Sequence, residues 1–322
     1  MAEISYQGVK YAQLQDETVL ETLLRNNINV ANSCRAGACH ICLMHCVKGE
    51  VNESAQKDLK PTQKRLNHFL ACQCQPEQDI EVALPDDEDV FVSAHLVEKE
   101  QLSPMVWRFR FETPVPMFYH AGQFINVKNP ASDIRSYSLA SLPSEEEFLE
   151  LQVRNVPDGK MSQWLVNELS VGMHLDIEGP NGHCFYSDDA EQSILMLGTG
   201  TGLAPLYGIV RDALHQQHKG EIHLYHGAVN IEELYLHDAL TALAQAHDNL
   251  TYHACVHGVE DLEGISSGHA PDIALANHKS LRAWKIFLCG SAEMVQKVSK
   301  LAFLSGASMK DILSDPFTSS GA

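Results

Sequence analysis

Four cysteines constrain this chain more than any other feature of its sequence. Cys34, Cys39 and Cys42 follow the pattern Cys-x4-Cys-x2-Cys, and Cys72 lies far downstream. The chain has nine cysteines, and an odd number does not indicate a disulfide framework. Three thiols from one tight loop and a fourth from elsewhere are instead suited to converge on a shared inorganic group.

This spacing is that of a plant-type [2Fe–2S] site, in which four thiolates hold two irons. The residues between the first two cysteines, 35–38, are mostly small, so backbone N–H groups can approach anionic sulfurs. A helical stretch at 18–26 precedes the loop and is expected to pack beneath it. Zinc is the disfavoured alternative, because zinc sites usually show two Cys-x2-Cys pairs and only Cys39 and Cys42 form one. Cys46 and Cys74 fall outside the pattern and are expected to be small buried residues.

Three zones differ in composition, with boundaries predicted at 1–84, 90–186 and 187–322, and an acidic linker at 85–89. The middle zone carries short strand-like runs separated by Pro and Gly, which favours a small antiparallel barrel. These runs lie at 90–92, 106–111, 124–127 and 148–153. The last zone alternates strands at 194–197, 221–226, 250–256 and 286–288 with helices, of which two are predicted at 206–214 and 231–246. That rhythm predicts a doubly wound parallel sheet.

The charge balance excludes several classes of partner. The chain has 42 acidic and 23 basic residues, which gives a formal net charge of −19. Such a polyanion is a poor ligand for nucleic acid or an anionic membrane, and it suits a protein partner with a basic patch. No apolar run is long enough for a membrane span, and the N-terminus lacks a secretory pattern, so a cytoplasmic location is expected.

The quoted motifs together resemble a known family. Residues 1–84, including Leu70-Ala71-Cys72-Gln73, are similar to a plant-type ferredoxin of the β-grasp fold, and the remainder resembles the ferredoxin–NAD(P)+ reductase module. The order of the domains is that of NADH-dependent reductase components of bacterial multicomponent oxygenases and related iron–sulfur flavoreductases. The resemblance implies an antiparallel FAD-binding barrel followed by a parallel-sheet NAD-binding domain.

The resemblance also implies the flavin contacts. Arg135 would meet the flavin pyrophosphate, Ser136 belongs to the same stretch, Tyr137 would pack along the ring, and Ser138 would bond near flavin N5. A second phosphate site is predicted where a helix opens after a sharp turn, and two such elements favour FAD over FMN. Its residues are Gly159, Lys160, Met161 and Ser162.

A glycine-rich turn between a strand and a helix predicts a site for the nicotinamide dinucleotide. Its residues are Gly198, Thr199, Gly200, Thr201 and Gly202. Cys289 and Gly290 resemble the start of the family's C-G-P motif beside the nicotinamide, with Ser291 in place of Pro. The resemblance therefore implies catalytic positions at Ser138 and Cys289, and it offers Phe317 in the tail as an aromatic near the flavin.

Cofactor choice is expected to depend on residues 227–233, which contain two carboxylates and no Lys or Arg. A 2′-phosphate there would lack a cation, so NADH is predicted. Electrons would pass from NADH through FAD to the cluster and then to an oxygenase component. Two alternatives stay open: service to another iron–sulfur enzyme such as a deoxysugar-forming dehydrase, and a redox-sensing module with little turnover.

Overall fold

The computed structural model describes residues 2–86, 90–187, 190–258 and 263–317, and these form three successive sheets. The predicted linker at 85–89 falls partly on residues 87–89, which lie outside the described residues. Within the described part of the chain, no helix is both long and apolar enough to cross a membrane.

The first sheet has five strands in the order β2-β1-β5-β3-β4. The strands are β1 (Glu3–Tyr6), β2 (Val9–Ala12), β3 (Leu43–Lys48), β4 (His68–Leu70) and β5 (Ile80–Ala83). Two helices, α1 (Val19–Arg25) and α2 (Pro61–Arg65), accompany them. Thr18 and Glu21 form a reciprocal capping box at the start of α1, which confirms the helix predicted at 18–26. Val19, Leu20 and Leu23 place its apolar face in the core beneath the cysteine loop.

The second sheet has six antiparallel strands in the order β10-β7-β6-β11-β8-β9. They are β6 (Val92–Gln101), β7 (Val106–Glu112), β8 (Phe124–Lys128), β9 (Ile134–Ser138), β10 (Leu149–Arg154) and β11 (His174–Asn181), with helix α3 (Lys160–Asn167) before β11. The antiparallel prediction is confirmed. The predicted start of the strand at residue 90 is wrong, because β6 begins only at Val92.

The third sheet has six parallel strands in the order β15-β14-β13-β12-β16-β17, which confirms the predicted class. The strands are β12 (Ile194–Thr199), β13 (Ile222–Ala228), β14 (Leu250–Val256), β15 (Ile265–Ser267), β16 (Lys285–Ser291) and β17 (Ile312–Phe317). The helices are α4 (Leu203–His215), α5 (His237–Ala246), α6 (Ala270–Asn277) and α7 (Ala292–Leu304). The predicted start of the helix at residue 231 is wrong. Residues 231–233 form a separate 3-10 turn, and Leu236, with a left-handed φ of 57°, precedes the start of α5 at His237.

The C-terminal tail is the main surprise of the fold. Residues 312–317 form an edge strand parallel to β16, with Cys289 opposite Asp315 and Ser291 opposite Phe317. Pro316 is tolerated there because an edge strand can leave one side of its backbone unpaired. This strand carries Asp315 and Phe317 to the carboxyl edge of the sheet, where the cofactor motifs also lie.

Candidate functional site

One cavity of about 1390 Å³ joins the three sheets. Its volume exceeds the range of about 300–1,000 Å³ typical of a single small-molecule site, as expected if two dinucleotides meet there. Most of the residues predicted from separate motifs line this one space: Cys34, Cys39, Arg135, Ser136, Tyr137, Ser138, Gly159, Lys160, Met161, Ser162, Thr199, Gly200, Thr201 and Phe317. Six predicted residues are not among those that line it: Cys42, Cys72, Gly198, Gly202, Cys289 and Gly290.

The cysteine loop is tight, and its backbone N–H groups point at sulfur. The Cys34 sulfur accepts from the N–H groups of Ala36 at 3.4 Å and of Cys39 at 3.3 Å. Gly37 has a φ of 80°, and a Cβ there would lie 3.0 Å from the Cγ of Gln73. Gln73 had no predicted role, yet its amide Nε2 lies 3.6 Å from the Cys72 sulfur and covers the loop.

The four thiols approach one another in two pairs. A hydrogen bond with the Cys39 thiol lowers the pKa of Cys34 to about 5, and a hydrogen bond with Cys42 lowers the pKa of Cys72 to about 7. No three His, Cys, Asp or Glu side chains among the described residues are grouped to hold a single metal ion. Paired thiols suit a two-iron cluster, in which each iron takes two thiolates, so the residues present fit a [2Fe–2S] group.

The other two cysteines near the loop behave as predicted. Cys46 and Cys74 are 1% and 0% exposed and belong to the core of the first sheet. Burial raises the pKa of both thiols, to about 12 for Cys74. They therefore remain neutral packing residues.

Strand β9 delivers the predicted flavin residues to the cavity. Tyr137 is half-buried, and desolvation raises the pKa of its phenol. Ser138 is buried, and its hydroxyl donates to the Asp315 carboxylate at 2.6 Å. Burial raises the pKa of Asp315 to about 6. Asp315 had no predicted role, because only the pairing of β17 with β16 brings this carboxyl to Ser138.

The start of α3 is shaped as a phosphate site. Gly159 precedes the helix, and the first helical hydrogen bond runs from Gln163 N to Gly159 O at 2.9 Å. The N–H groups of the residues before Gln163 consequently have no intrahelical partner. Ser162 accepts from Val156 N at 3.1 Å, so its hydroxyl closes the turn. Lys160 adds a cation at this positive end of the helix, and the group as a whole fits an anion.

The glycine-rich turn packs directly against the end of β16. A Cβ at Gly202 would lie 2.1 Å from the Cys289 carbonyl oxygen, so no larger residue fits this backbone. Gly198 lies opposite Cys289 in the sheet register. The cavity where α4 begins is lined by Thr199, Gly200 and Thr201. A dinucleotide phosphate binds at such a position, where backbone N–H groups at the start of a helix are free to donate.

Cys289 is fully buried, and its sulfur lies 3.8 Å from that of Cys184. Burial raises the pKa of the Cys289 thiol well above its ordinary value, so it stays protonated. The serine that replaces the expected proline has its own structural use. Ser291 caps α7 by accepting from Met294 N at 3.3 Å, so the turn after Gly290 is held by a hydrogen bond.

The loop at 227–233 is less negative than its sequence implies. The Glu233 carboxylate receives both Nη atoms of Arg154, at 2.7 and 3.3 Å, and both side chains line the cavity. Arg154 ends strand β10, so the barrel supplies a cation that the loop itself lacks. Of the two carboxylates in this loop, Glu233 is therefore paired with a cation and Glu232 is exposed.

Three family models match successive parts of the chain. The 2Fe-2S iron-sulfur cluster binding domain matches residues 3–77, the oxidoreductase FAD-binding domain residues 93–186, and the oxidoreductase NAD-binding domain residues 196–300. This order agrees with the three sheets and with the cofactor classes predicted from the sequence.

The chain also resembles relatives over most of their length. The chain is 30% identical to the ferredoxin–NAD(P)(+) reductase component of naphthalene 1,2-dioxygenase/salicylate 5-hydroxylase systems from Ralstonia, over 94% of both chains. It is 31% identical to the reductase subunit of an aromatic O-demethylase from Amycolatopsis, over 87% of both. The crystal structure of an Amycolatopsis cytochrome P450 reductase superposes with a TM-score of 0.71 at 28% identity, over 98% of this chain and 99% of the other.

Proposed function

Because this chain belongs to the ferredoxin–NAD(P)+ reductase family, in the group with its own [2Fe–2S] domain, we propose that it passes electrons from NADH to an oxygenase component. It is an NAD(P)H-dependent oxidoreductase with FAD and a [2Fe–2S] cluster as cofactors. The observation that carries the proposal is the single cavity shared by the cysteine loop, strand β9 and the glycine-rich turn.

The cysteine loop is proposed to hold the cluster through Cys34, Cys39, Cys42 and Cys72. Support comes from the paired approach of the thiols and from the N–H groups that already point at Cys34. Such hydrogen bonds stabilise the negative charge on sulfur and so influence the reduction potential of a bound cluster.

FAD supplies the step between two-electron and one-electron chemistry when it is bound. Arg135 and the N-terminal end of α3 are proposed to hold its two phosphates, and Tyr137 to pack on its ring. Ser138 would donate its one hydroxyl hydrogen to the ring edge in place of its present acceptor, Asp315. Cys289, as a neutral buried thiol, would shape the place of the nicotinamide and exclude water from it.

NADH is proposed as the electron donor rather than NADPH. Residues 227–233 contain no Lys or Arg, and Arg154, which reaches this loop from the barrel, is already held by two contacts to Glu233. A 2′-phosphate would have to compete with that carboxylate for the guanidinium. The ribose hydroxyls of NADH, which can donate to a carboxylate, face no such competition.

An oxygenase component is proposed as the acceptor, by analogy with the relatives. The net charge of −19 suits electrostatic docking to a basic surface of such a partner. Docking of this kind accelerates association and weakens as salt screens the charges.

The test begins with the visible spectrum of the purified protein, together with its flavin and iron content. We expect FAD, two irons per chain, and rapid NADH-dependent reduction of ferricyanide and cytochrome c. Mixing the protein with purified oxygenase components, and scoring NADH-coupled product, tests the acceptor. A reconstituted preparation without flavin or iron would refute the proposal, and negligible turnover with every acceptor would favour a redox-sensing module.

A further inference from the structure

A buried polar network joins the ferredoxin-type domain (residues 2–84) to the FAD-binding barrel at the cluster loop. Its centre is Asn126 on β8, which is 2% exposed. The amide Nδ2 of Asn126 donates to the Cys39 carbonyl at 2.9 Å and to the Glu178 carboxylate at 2.8 Å. Both hydrogens of this amide are thereby used, one across the domain boundary and one within the barrel.

The same asparagine is tied to the flavin strand. The Ser136 hydroxyl, on β9, donates to Asn126 Oδ1 at 2.7 Å. Two successive hydrogen bonds therefore connect the backbone of the cluster loop, at Cys39, with the strand proposed to hold the flavin. Within the described residues this is a short polar route between the two cofactor sites.

Glu178 supports Asn126 from the barrel side. It is 5% exposed, and its Oε2 also accepts from Asn181 at 2.8 Å. Its Oε1 lies 3.6 Å from Nζ of Lys60, which belongs to the ferredoxin-type domain. Lys60 in turn donates to the Gly179 carbonyl at 2.8 Å. A buried carboxylate is costly without partners, so this one favours the arrangement in which the two domains stay together.

Domains joined by a linker move relative to one another unless their interface prevents it. Electron transfer between two redox centres weakens steeply as their separation grows. We propose that Asn126 is a positioning residue: it fixes the cluster loop against the flavin strand and so sets the rate of electron transfer from bound FAD to the bound cluster. The inference rests on the proposed function, and it leaves hydride transfer from the nicotinamide unaffected.

The main test compares Asn126→Ala with Asn181→Ala as a matched control. Asn181 is buried like Asn126 and donates to the same Glu178 oxygen, and this hydrogen bond lies wholly within β11 of the barrel. In anaerobic stopped-flow with NADH, flavin reduction should keep its rate in both variants. Cluster reduction should slow about tenfold in Asn126→Ala alone, equivalent to about 1.4 kcal/mol.

A second readout does not depend on turnover. Loss of the interdomain hydrogen bond should raise the rate at which a protease cleaves within residues 85–89 of Asn126→Ala, and should leave the rate for Asn181→Ala unchanged. Flavin and iron content should equal those of the parent in both variants, because the proposed ligands are untouched.

Several results would overturn the inference. Parental cluster reduction in Asn126→Ala, or equal slowing in both variants, would show that Asn126 does not position the loop. If Asn126→Ala does not fold, Asn126→Ser serves instead, since it lacks the amide donor to Cys39 and adds no charge beside Glu178. A parent protein without flavin and iron would refute the proposed function itself, whereas a fully active parent with unaffected variants would refute only the role of Asn126.

Discussion

Asp315 offers a quantitative test of how β17 contributes to the site. Asp315 is half-buried at the carboxyl edge of the third sheet, and its carboxylate accepts from the Ser138 hydroxyl at 2.6 Å. Desolvation raises its pKa from 3.8 to about 6, which means that the folded protein holds this proton more tightly than the unfolded chain does. Ionised Asp315 therefore destabilises the fold, and Asp315→Asn should be more stable than the parent at neutral pH.

The magnitude follows from the two pKa values. Between pH 3.8 and 6 the folded state binds more protons, so the free energy of unfolding falls as the pH rises through that window. The destabilisation is about 1.5 kcal/mol at pH 5 and levels off at about 3 kcal/mol above pH 7. The gain in stability of Asp315→Asn should grow with pH by the difference, about 1.5 kcal/mol.

The assay is urea unfolding of the holoprotein and of Asp315→Asn at several pH values from 5 to 8. Each curve should be followed through tryptophan fluorescence and flavin release. Asp311→Asn is a control, because Asp311 forms an ion pair with Lys285 at 3.3 Å and has no tie to Ser138. A gain for Asp315→Asn that does not change with pH, or a loss of stability at pH 7, would refute the assignment of a raised pKa to this carboxyl.

Four further outcomes are expected. Cys39→Ser should abolish the iron–sulfur absorbance while NADH-dependent ferricyanide reduction persists. The control, Cys46→Ser, should keep the cluster. A retained cluster in Cys39→Ser would contradict the ligand assignment. Glu233→Gln should raise kcat/KM for NADPH relative to NADH on the order of tenfold, because the freed Arg154 can then attract a 2′-phosphate. An unchanged ratio would show that the Arg154–Glu233 pair does not determine the preference for NADH. Gly202→Ala should lower the free energy of unfolding by an amount on the order of 2–4 kcal/mol and weaken binding of the nicotinamide dinucleotide in a titration, since its Cβ would clash with the end of β16. Unchanged affinity would disprove the close approach of Gly202 to Cys289. Turnover with the protein acceptor should fall as the salt concentration rises. A turnover rate that does not depend on salt would refute electrostatic docking.

Features whose residues lie close together in the chain could be predicted from the sequence. The cysteine spacing, the helical stretch at 18–26 and the glycine-rich turn each rest on neighbours within a few residues, and each lies where it was expected. Strand–helix alternation predicted the parallel sheet for the same reason, because periodicity is a local property. The start of α5 was misjudged, since 231–246 is apolar enough for a helix but Leu236 adopts a left-handed conformation.

Contacts between distant segments were not readable. Ser138 and Asp315 are 177 positions apart, and Asn126 and Cys39 are 87 apart. The tail gave no periodic signal for a strand, so nothing in the sequence placed Asp315 beside the flavin strand. Likewise, the loop at 227–233 looked acidic until the barrel supplied Arg154.

The sequence by itself determined the identity of the three domains and the chemical type of each cofactor site, because thiol spacing and glycine turns are local patterns tied to one kind of ligand. Only the tertiary structure decided how the sites share one cavity, which carboxylates are buried or neutralised, and which side chains join the cluster loop to the barrel. The reason is physical: burial and charge pairing are properties of surroundings, and those surroundings come from residues far away along the chain.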